Sequence, residues 1–227
     1  MTEDLNEANV IIINTCTFID AAKDESVQTL LQATEYKKNG KCEKLVAAGC
    51  LSQQFQEGLA REIPELDVLL GTESWSKILD AVNESYRTGK QVNCFDSAPC
   101  EHEELIPRQL VTPKYTAYVK IAEGCNNGCT FCYIPYVRGK ARSRPIPSVV
   151  HEVKRLAAQG VKEFNLIAQD LSYYGRDLGD GTNLAGLLRE LVKVEGVKWI
   201  RLFYLYPTYF TDELLDLITR EKKICKY

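Results

Sequence analysis

Residues 115–132 read Tyr-Thr-Ala-Tyr-Val-Lys-Ile-Ala-Glu-Gly-Cys-Asn-Asn-Gly-Cys-Thr-Phe-Cys. Tyr115 to Ala122 alternates enough to be a strand, and Gly124 to Cys129 is rich in turn-forming residues. Downstream, Val149, Val150, Val153, Leu156 and Ala157 make a helical apolar stripe that follows Pro147 and stops at Gly160. Val161 to Ala168 is the next strand. Leu184, Leu187, Leu188 and Leu191 share one face of a helix over 183–194. A third strand covers Trp199 to Tyr206, and a third helix begins after Thr211 as its N-cap. Residues 114–227 thus hold three consecutive βα units, the repeat of a (β/α) barrel but too few to close one.

Upstream, Val10 to Asn14 is an unbroken run of the kind found in parallel strands buried on both faces. A helical segment over 20–38, a strand over Leu45 to Ala48, a helical stretch near 53–62 and a strand over Val68 to Leu70 follow. Trp75, Ile78, Leu79, Val82 and Tyr86 then mark an amphipathic helix ending near Gly89. This β-α-β-α-β-α order predicts a small parallel α/β domain over residues 1–90. Residues 91–113 hold three prolines and two cysteines without clear periodicity, the make-up of a linker.

At 45% hydrophobic and 26% charged residues, and with no run of 18 apolar residues, the chain reads as an ordinary folded protein without a membrane-spanning helix. Its acidic opening lacks the basic flank and apolar stretch of a secretory signal, so the cytoplasm is the expected location. The net charge of −3 conceals a split: 9 Lys or Arg face 19 Asp or Glu in residues 1–107, and 19 face 12 in residues 108–227. Two domains with different partners suit that split, the basic half being open to an anionic one.

Nine cysteines are many for a reducing compartment, where thiols serve metal binding or catalysis more often than disulfides. Cys125-x-x-x-Cys129-x-x-Cys132 puts three of them on a loop at the carboxyl end of the first strand of the βα repeat, the catalytic edge of such folds. Three thiolates can hold three corners of a four-iron cube and leave one iron open to a ligand. Six basic residues between Lys114 and Arg144 stand against one acid, Glu123, a setting that favours ionised thiols. Structural zinc would need a fourth ligand, and neither His102 nor His151 is at ligand spacing. Cys16 and Cys50 each follow a predicted parallel strand, so both leave at one sheet edge and can converge. Cys42 precedes its strand, Cys94 and Cys100 lie in the linker, and these three with Cys225 are read as incidental.

A C-x-x-x-C-x-x-C loop after the first strand of a (β/α) barrel resembles the radical S-adenosylmethionine superfamily. Tyr133-Ile-Pro-Tyr-Val-Arg138-Gly139, Ser143-Arg144-Pro145, Asn14-Thr15-Cys16 and Gly49-Cys50 narrow that resemblance to the methylthiotransferases, across nearly the whole chain. The resemblance implies a radical 4Fe-4S cluster on Cys125, Cys129 and Cys132, with S-adenosylmethionine at its open iron. It also implies a second, auxiliary 4Fe-4S cluster, for which Cys16 and Cys50 are two of three ligands. Phe131, just before the third cysteine, matches the superfamily pattern and would pack near the adenine. Gln169 and Asp170, at the carboxyl end of the second strand, point into a barrel mouth where they can bind the methionyl amino group. Arg138 and Arg144 suit the methionyl carboxylate or the auxiliary cluster. The family's first auxiliary cysteine, its remaining barrel strands and its C-terminal β-barrel domain have no counterpart here. The resemblance therefore implies a chain truncated at both ends, whose isolated form is expected to be inactive.

Ala168-Gln169-Asp170-Leu171-Ser172-Tyr173-Tyr174-Gly175, the segment from Cys16 to Ser26, and Leu205-Tyr206-Pro207 are closer to the uS12 enzymes of the family than to its tRNA enzymes. This implies a methylthio group added to the β-carbon of an aspartate in ribosomal protein uS12, free or in the 30S subunit. An electron donor such as flavodoxin or ferredoxin and a sulfur donor would be partners. The alternatives are a tRNA adenosine methylthiotransferase and, in another class, a non-catalytic metal-binding fragment. No side chain is assigned a catalytic role, since hydrogen abstraction by a carbon radical requires no general base. Tyr173, Tyr174, Tyr204 and Tyr206, near strand ends, can line the substrate mouth or, as strand aromatics more often do, pack in the core, and no role is assigned to them.

Overall fold

A computed structural model describes Thr2, residues 4–95, Leu105, Ile106 and residues 108–226. Cys100 and His102 lie outside the described residues. The chain divides into two compact units, Met1–Glu101 with Cys129–Arg138, and His102–Gly128 with Gly139–Tyr227.

In the first unit the order is β1 (Val10–Thr15), α1 (Asp20–Asn39), β2 (Lys44–Gly49), α2 (Cys50–Phe55), α3 (Glu57–Glu62), β3 (Val68–Leu70), α4 (Ile78–Thr88) and β4 (Val92–Cys94). The four strands pair in parallel in the order β1-β2-β3-β4. Ile11, Leu45, Ala47 and Leu69 face Leu30 and Ala33 of α1 and Leu59 of α3, while Val46, Ala48, Val68 and Leu70 face Ala81 and Val82 of α4. Each fully buried aliphatic side chain contributes roughly 1.5–3 kcal/mol, which is why the central strands carry apolar residues at consecutive positions.

Three expectations are corrected here. Ile12 of β1 is 52% exposed, because β1 is an edge strand and α4 packs over β2, β3 and β4. The helical stretch near 53–62 is two helices, interrupted at Gln56, whose φ of 43° no α-helix accommodates. Val92–Cys94, read as linker, is the fourth strand of the sheet. α5 (Ile134–Val137) also belongs to this unit, where the Thr72 hydroxyl donates to the Val137 carbonyl at 3.1 Å.

In the second unit the order is β5 (Thr116–Lys120), β6 (Ala122–Glu123), β7 (Arg142–Ser143), α6 (Ile146–Ala158), β8 (Glu163–Ile167), α7 (Leu184–Val192), β9 (Trp199–Leu202) and α8 (Asp212–Arg220). β5, β8 and β9 form a parallel sheet in that order, with Val119, Leu166 and Leu202 in register. Its core runs through Phe164, Leu166, Ile200 and the α7 leucines. These are the three βα units read from the sequence. The expected N-cap at Thr211 accepts from Leu214 N at 3.2 Å. The strand expected over 115–122 is split, because Ala122 and Glu123 pair antiparallel with Ser143 and Arg142. Among the described residues no helix is long and apolar enough to cross a membrane.

Candidate metal centre

β1 and β2 end together, with Thr15 opposite Gly49, so Cys16 and Cys50 are the next residue on each of two adjacent strands. The Thr15 hydroxyl ties the ends, donating to Ala48 O at 2.7 Å and accepting from Leu51 N at 3.2 Å. Gly49 has φ 99°, and a Cβ there would stand 2.7 Å from both Asn14 Oδ1 and Thr15 O. Only glycine allows the turn that delivers Cys50 into α2. Ser26 of α1 holds Cys16 by its backbone, its Oγ accepting from Cys16 N at 2.9 Å and donating to Cys16 O at 3.1 Å. Cys16 is exposed and Cys50 buried. The Arg138 guanidinium donates to Cys50 Sγ at 3.4 Å.

In the second unit Gly124, with φ 76°, begins the cysteine loop, and a Cβ there would meet Lys140 O at 2.2 Å. Cys125 N donates to Gly139 O at 3.2 Å. Two residues that the sequence reading took only as turn formers fix this loop. Asn126 accepts from Ala141 N at 3.0 Å and donates to the Tyr173 hydroxyl at 2.8 Å. Asn127 donates to Asp170 Oδ2 at 3.0 Å and accepts from the Tyr209 hydroxyl at 3.3 Å. In the first unit, Cys132 N closes a turn onto Cys129 O at 3.0 Å, and Tyr133 stacks on Tyr136 with ring centroids 5.3 Å apart. Phe131 is 85% exposed and packs in no core.

Three residues expected to bind the cofactor hold protein groups. Gln169 donates from Nε2 to Oε1 of the buried Glu123 at 2.9 Å, while its own Oε1 is buried without a protein partner. Asp170 is buried and accepts from Ser172 N at 3.0 Å, Asn127 Nδ2 at 3.0 Å and Tyr206 N at 3.4 Å. Arg144 is paired with the buried Glu152 at 2.6 Å and also donates to Lys120 O and Ser148 Oγ. Asp170 and Arg144 thus organise the loops around the carboxyl ends of β5 and β8. Of the tyrosines near strand ends, Tyr174 is buried, and burial pushes its phenol pKa far up, whereas Tyr204 and Tyr206 are exposed.

The donor chemistry suits an iron-sulfur cluster. Cys16, Cys50, Cys125, Cys129 and Cys132 are all unbridged. Phe18 N donates to Cys16 Sγ at 3.5 Å and Asn127 N to Cys125 Sγ at 3.4 Å, the kind of N–H contact that stabilises ligand sulfur. Among the described residues no three His, Cys, Asp or Glu side chains form a group able to hold a metal ion.

The model of the uncharacterized protein family UPF0004 matches residues 1–71, and that of the radical SAM superfamily matches residues 119–224. In fold, the chain is similar to the radical S-adenosylmethionine methyltransferase TsrM from Kitasatospora setae, solved with cobalamin and a [4Fe-4S] cluster. The TM-score is 0.65 at 16% identity, over 95% of this chain and 49% of that one. The parallel βα sheet and the C-x-x-x-C-x-x-C loop after its first strand fall in or beside the stretch that matches the radical SAM superfamily, residues 119–224.

Relatives called ribosomal protein uS12 methylthiotransferase RimO are similar over the whole chain. That of Syntrophotalea carbinolica is 51% identical, with 100% of this chain and 50% of the relative aligned. That of Symbiobacterium thermophilum is 48% identical, with 100% and 47% aligned. The chain spans about half the length of the curated relatives it matches.

Proposed function

We propose that this chain serves a methylthiotransferase that replaces a C–H bond on the β-carbon of an aspartate of ribosomal protein uS12 by C–S–CH3. The observation that carries the reading is the Cys125-x-x-x-Cys129-x-x-Cys132 loop, whose first thiol follows β6 at the carboxyl end of a parallel βα sheet. The names borne by relatives 51% and 48% identical to it support the choice of uS12. Cys125, Cys129 and Cys132 would ligate the radical cluster, and Cys16 and Cys50 would supply two thiols to an auxiliary cluster. When bound, the radical cluster and S-adenosylmethionine supply the one-electron cleavage that yields a hydrogen-abstracting carbon radical.

The chain's own residues shape the setting. Gly49 and Thr15 fix the exit of Cys50. Asn126, Asn127 and Asp170 hold the start of the cysteine loop. Gln169 keeps one buried amide oxygen without a protein partner, an acceptor for an ammonium group. Phe131, fully displayed, offers a ring for the adenine. An electron donor of the flavodoxin or ferredoxin type, a sulfur donor and a second S-adenosylmethionine that gives up its methyl group complete the reaction, which takes place where ribosomes are, in the cytoplasm.

The test is anaerobic reconstitution of the protein, iron counting, and assay of 5'-deoxyadenosine release and of uS12 mass. Iron content near four per radical site and a mass gain on uS12 are expected. Release of 5'-deoxyadenosine by Cys129→Ala would refute the ligand assignment, and modification of tRNA in place of uS12 would refute the substrate.

A further inference from the structure

Tyr204 has φ 62°, in the left-handed region that bulky side chains rarely enter. It lies just beyond β9, at the carboxyl end of the sheet. The two-residue alternation of the strand, with Ile200 and Leu202 buried, would carry Tyr204 onto the same covered face. The left-handed backbone takes it out instead, and Tyr204 is 70% exposed. The loop after β8 holds this conformation. Leu171 N donates to Tyr204 O at 3.0 Å, and two residues on, Tyr206 N donates to Ser172 Oγ at 3.2 Å while Ser172 Oγ donates to Tyr206 O at 2.8 Å.

A strained backbone that displays an aromatic ring does nothing for the core. Such strain persists where the surroundings over-determine it, and it concentrates at sites that bind or react. Carboxyl ends of parallel strands are where such sheets take their ligands. A tyrosine there presents rigid, amphipathic area, with a ring face for aliphatic and main-chain groups and a hydroxyl for one hydrogen bond. We infer that Tyr204, with Tyr206 exposed beside it in sequence, is a substrate-positioning residue that contacts the polypeptide segment of uS12 bearing the target aspartate. The inference rests on the substrate reading above.

The experiment measures two quantities on the full-length protein: its thermal midpoint, and the Kd for purified uS12 by fluorescence anisotropy. Tyr204→Gly and Tyr204→Asn both tolerate a positive φ, so both fold. Each is expected to weaken uS12 binding on the order of tenfold, as loss of an aromatic anchor does. Tyr204→Gly is expected to raise the midpoint by about 2 °C through relief of strain. Tyr204→Phe, which keeps the ring, should bind within about threefold of wild type. Unchanged uS12 affinity in the glycine and asparagine variants would overturn the assignment while leaving the substrate reading intact. A lowered midpoint in Tyr204→Gly would overturn it too, by making the ring a packing residue. Wild type that fails to bind uS12 would sink the substrate reading, and the assignment with it.

Discussion

The Arg138 guanidinium reaches Cys50 Sγ at 3.4 Å, joining the segment that follows the radical-type cysteines to the thiol at the end of β2. Arg138 is charged at every working pH, and Cys50 is 7% exposed, so the cation stands beside a sulfur largely removed from water. Hydrogen bonds and positive charge at a ligand sulfur raise a cluster's reduction potential. In protein whose Cys125, Cys129 and Cys132 are changed to alanine, any remaining iron reports the auxiliary site. Arg138→Gln is expected to lower that iron content and to shift its potential to more negative values, with Arg138→Lys in between. Iron assay and redox titration followed by electron paramagnetic resonance check both. Equal potentials in the three proteins would remove Arg138 from the site.

Gly49→Ala tests the turn that delivers Cys50. The added Cβ would press on Thr15 O and Asn14 Oδ1 at 2.7 Å, and the backbone would sit at φ 99°. Strain and clash together cost about 2 kcal/mol or more. Urea unfolding of the metal-free protein is expected to show a lowered midpoint. Gly58→Ala, in α3 with nothing within 4 Å of its added Cβ, should leave that midpoint unchanged or raise it slightly.

How much of this was readable beforehand follows from what is local. Strands β2, β3, β5 and β8 announce themselves because both faces or one whole face are apolar, and the βα order then limits the topology. Val92–Cys94 escaped because three residues carry no period, and the strand exists through its pairing with β3. The split of 115–122 escaped because β6 finds its partner in residues 142–143, a non-local choice. The cysteine spacing is visible in the sequence, but the fixing of its loop is not. Asn126 and Asn127 look the same in sequence whether their amides meet water or Tyr173 and Asp170. Tyr204 defied the alternation rule because its backbone turns left-handed at that residue.

The cysteines should separate under alkylation. Burial pushes the Cys42 thiol pKa up, so its thiolate fraction at any pH near neutrality lies below that of an ordinary thiol. Its side chain is also inside the first unit's core, with Sγ donating to Lys44 O at 3.3 Å. Cys16 and Cys129 are exposed. Iodoacetamide treatment of reduced, metal-free protein, read by peptide mass spectrometry, is expected to modify Cys42 at least about tenfold more slowly than Cys16 or Cys129. Comparable rates would mean that the first unit's core opens readily in metal-free protein.

The last prediction separates two roles for Arg144. A ligand for the methionyl carboxylate would matter only when S-adenosylmethionine is bound. The geometry describes something else. Arg144 pairs with Glu152 Oε2 at 2.6 Å, donates to Lys120 O at 2.7 Å and reaches Ser148 Oγ at 3.0 Å, while Arg108 pairs with the other oxygen of Glu152. Glu152 is 4% exposed, so its charge is tolerable only with its partners in place. Removing one partner from a buried pair costs about 3–5 kcal/mol, less where a second cation remains, so Arg144→Met is expected to lose about 3 kcal/mol in metal-free, cofactor-free protein. Arg144→Lys restores the charge without the fork that spans Glu152 and Ser148, and is expected to recover about half. Glu152→Gln in the Arg144→Met background should add little further loss, because the carboxylate left short of a partner is then gone. Urea midpoints of the four proteins measure this. An Arg144→Met midpoint equal to wild type would return Arg144 to the cofactor.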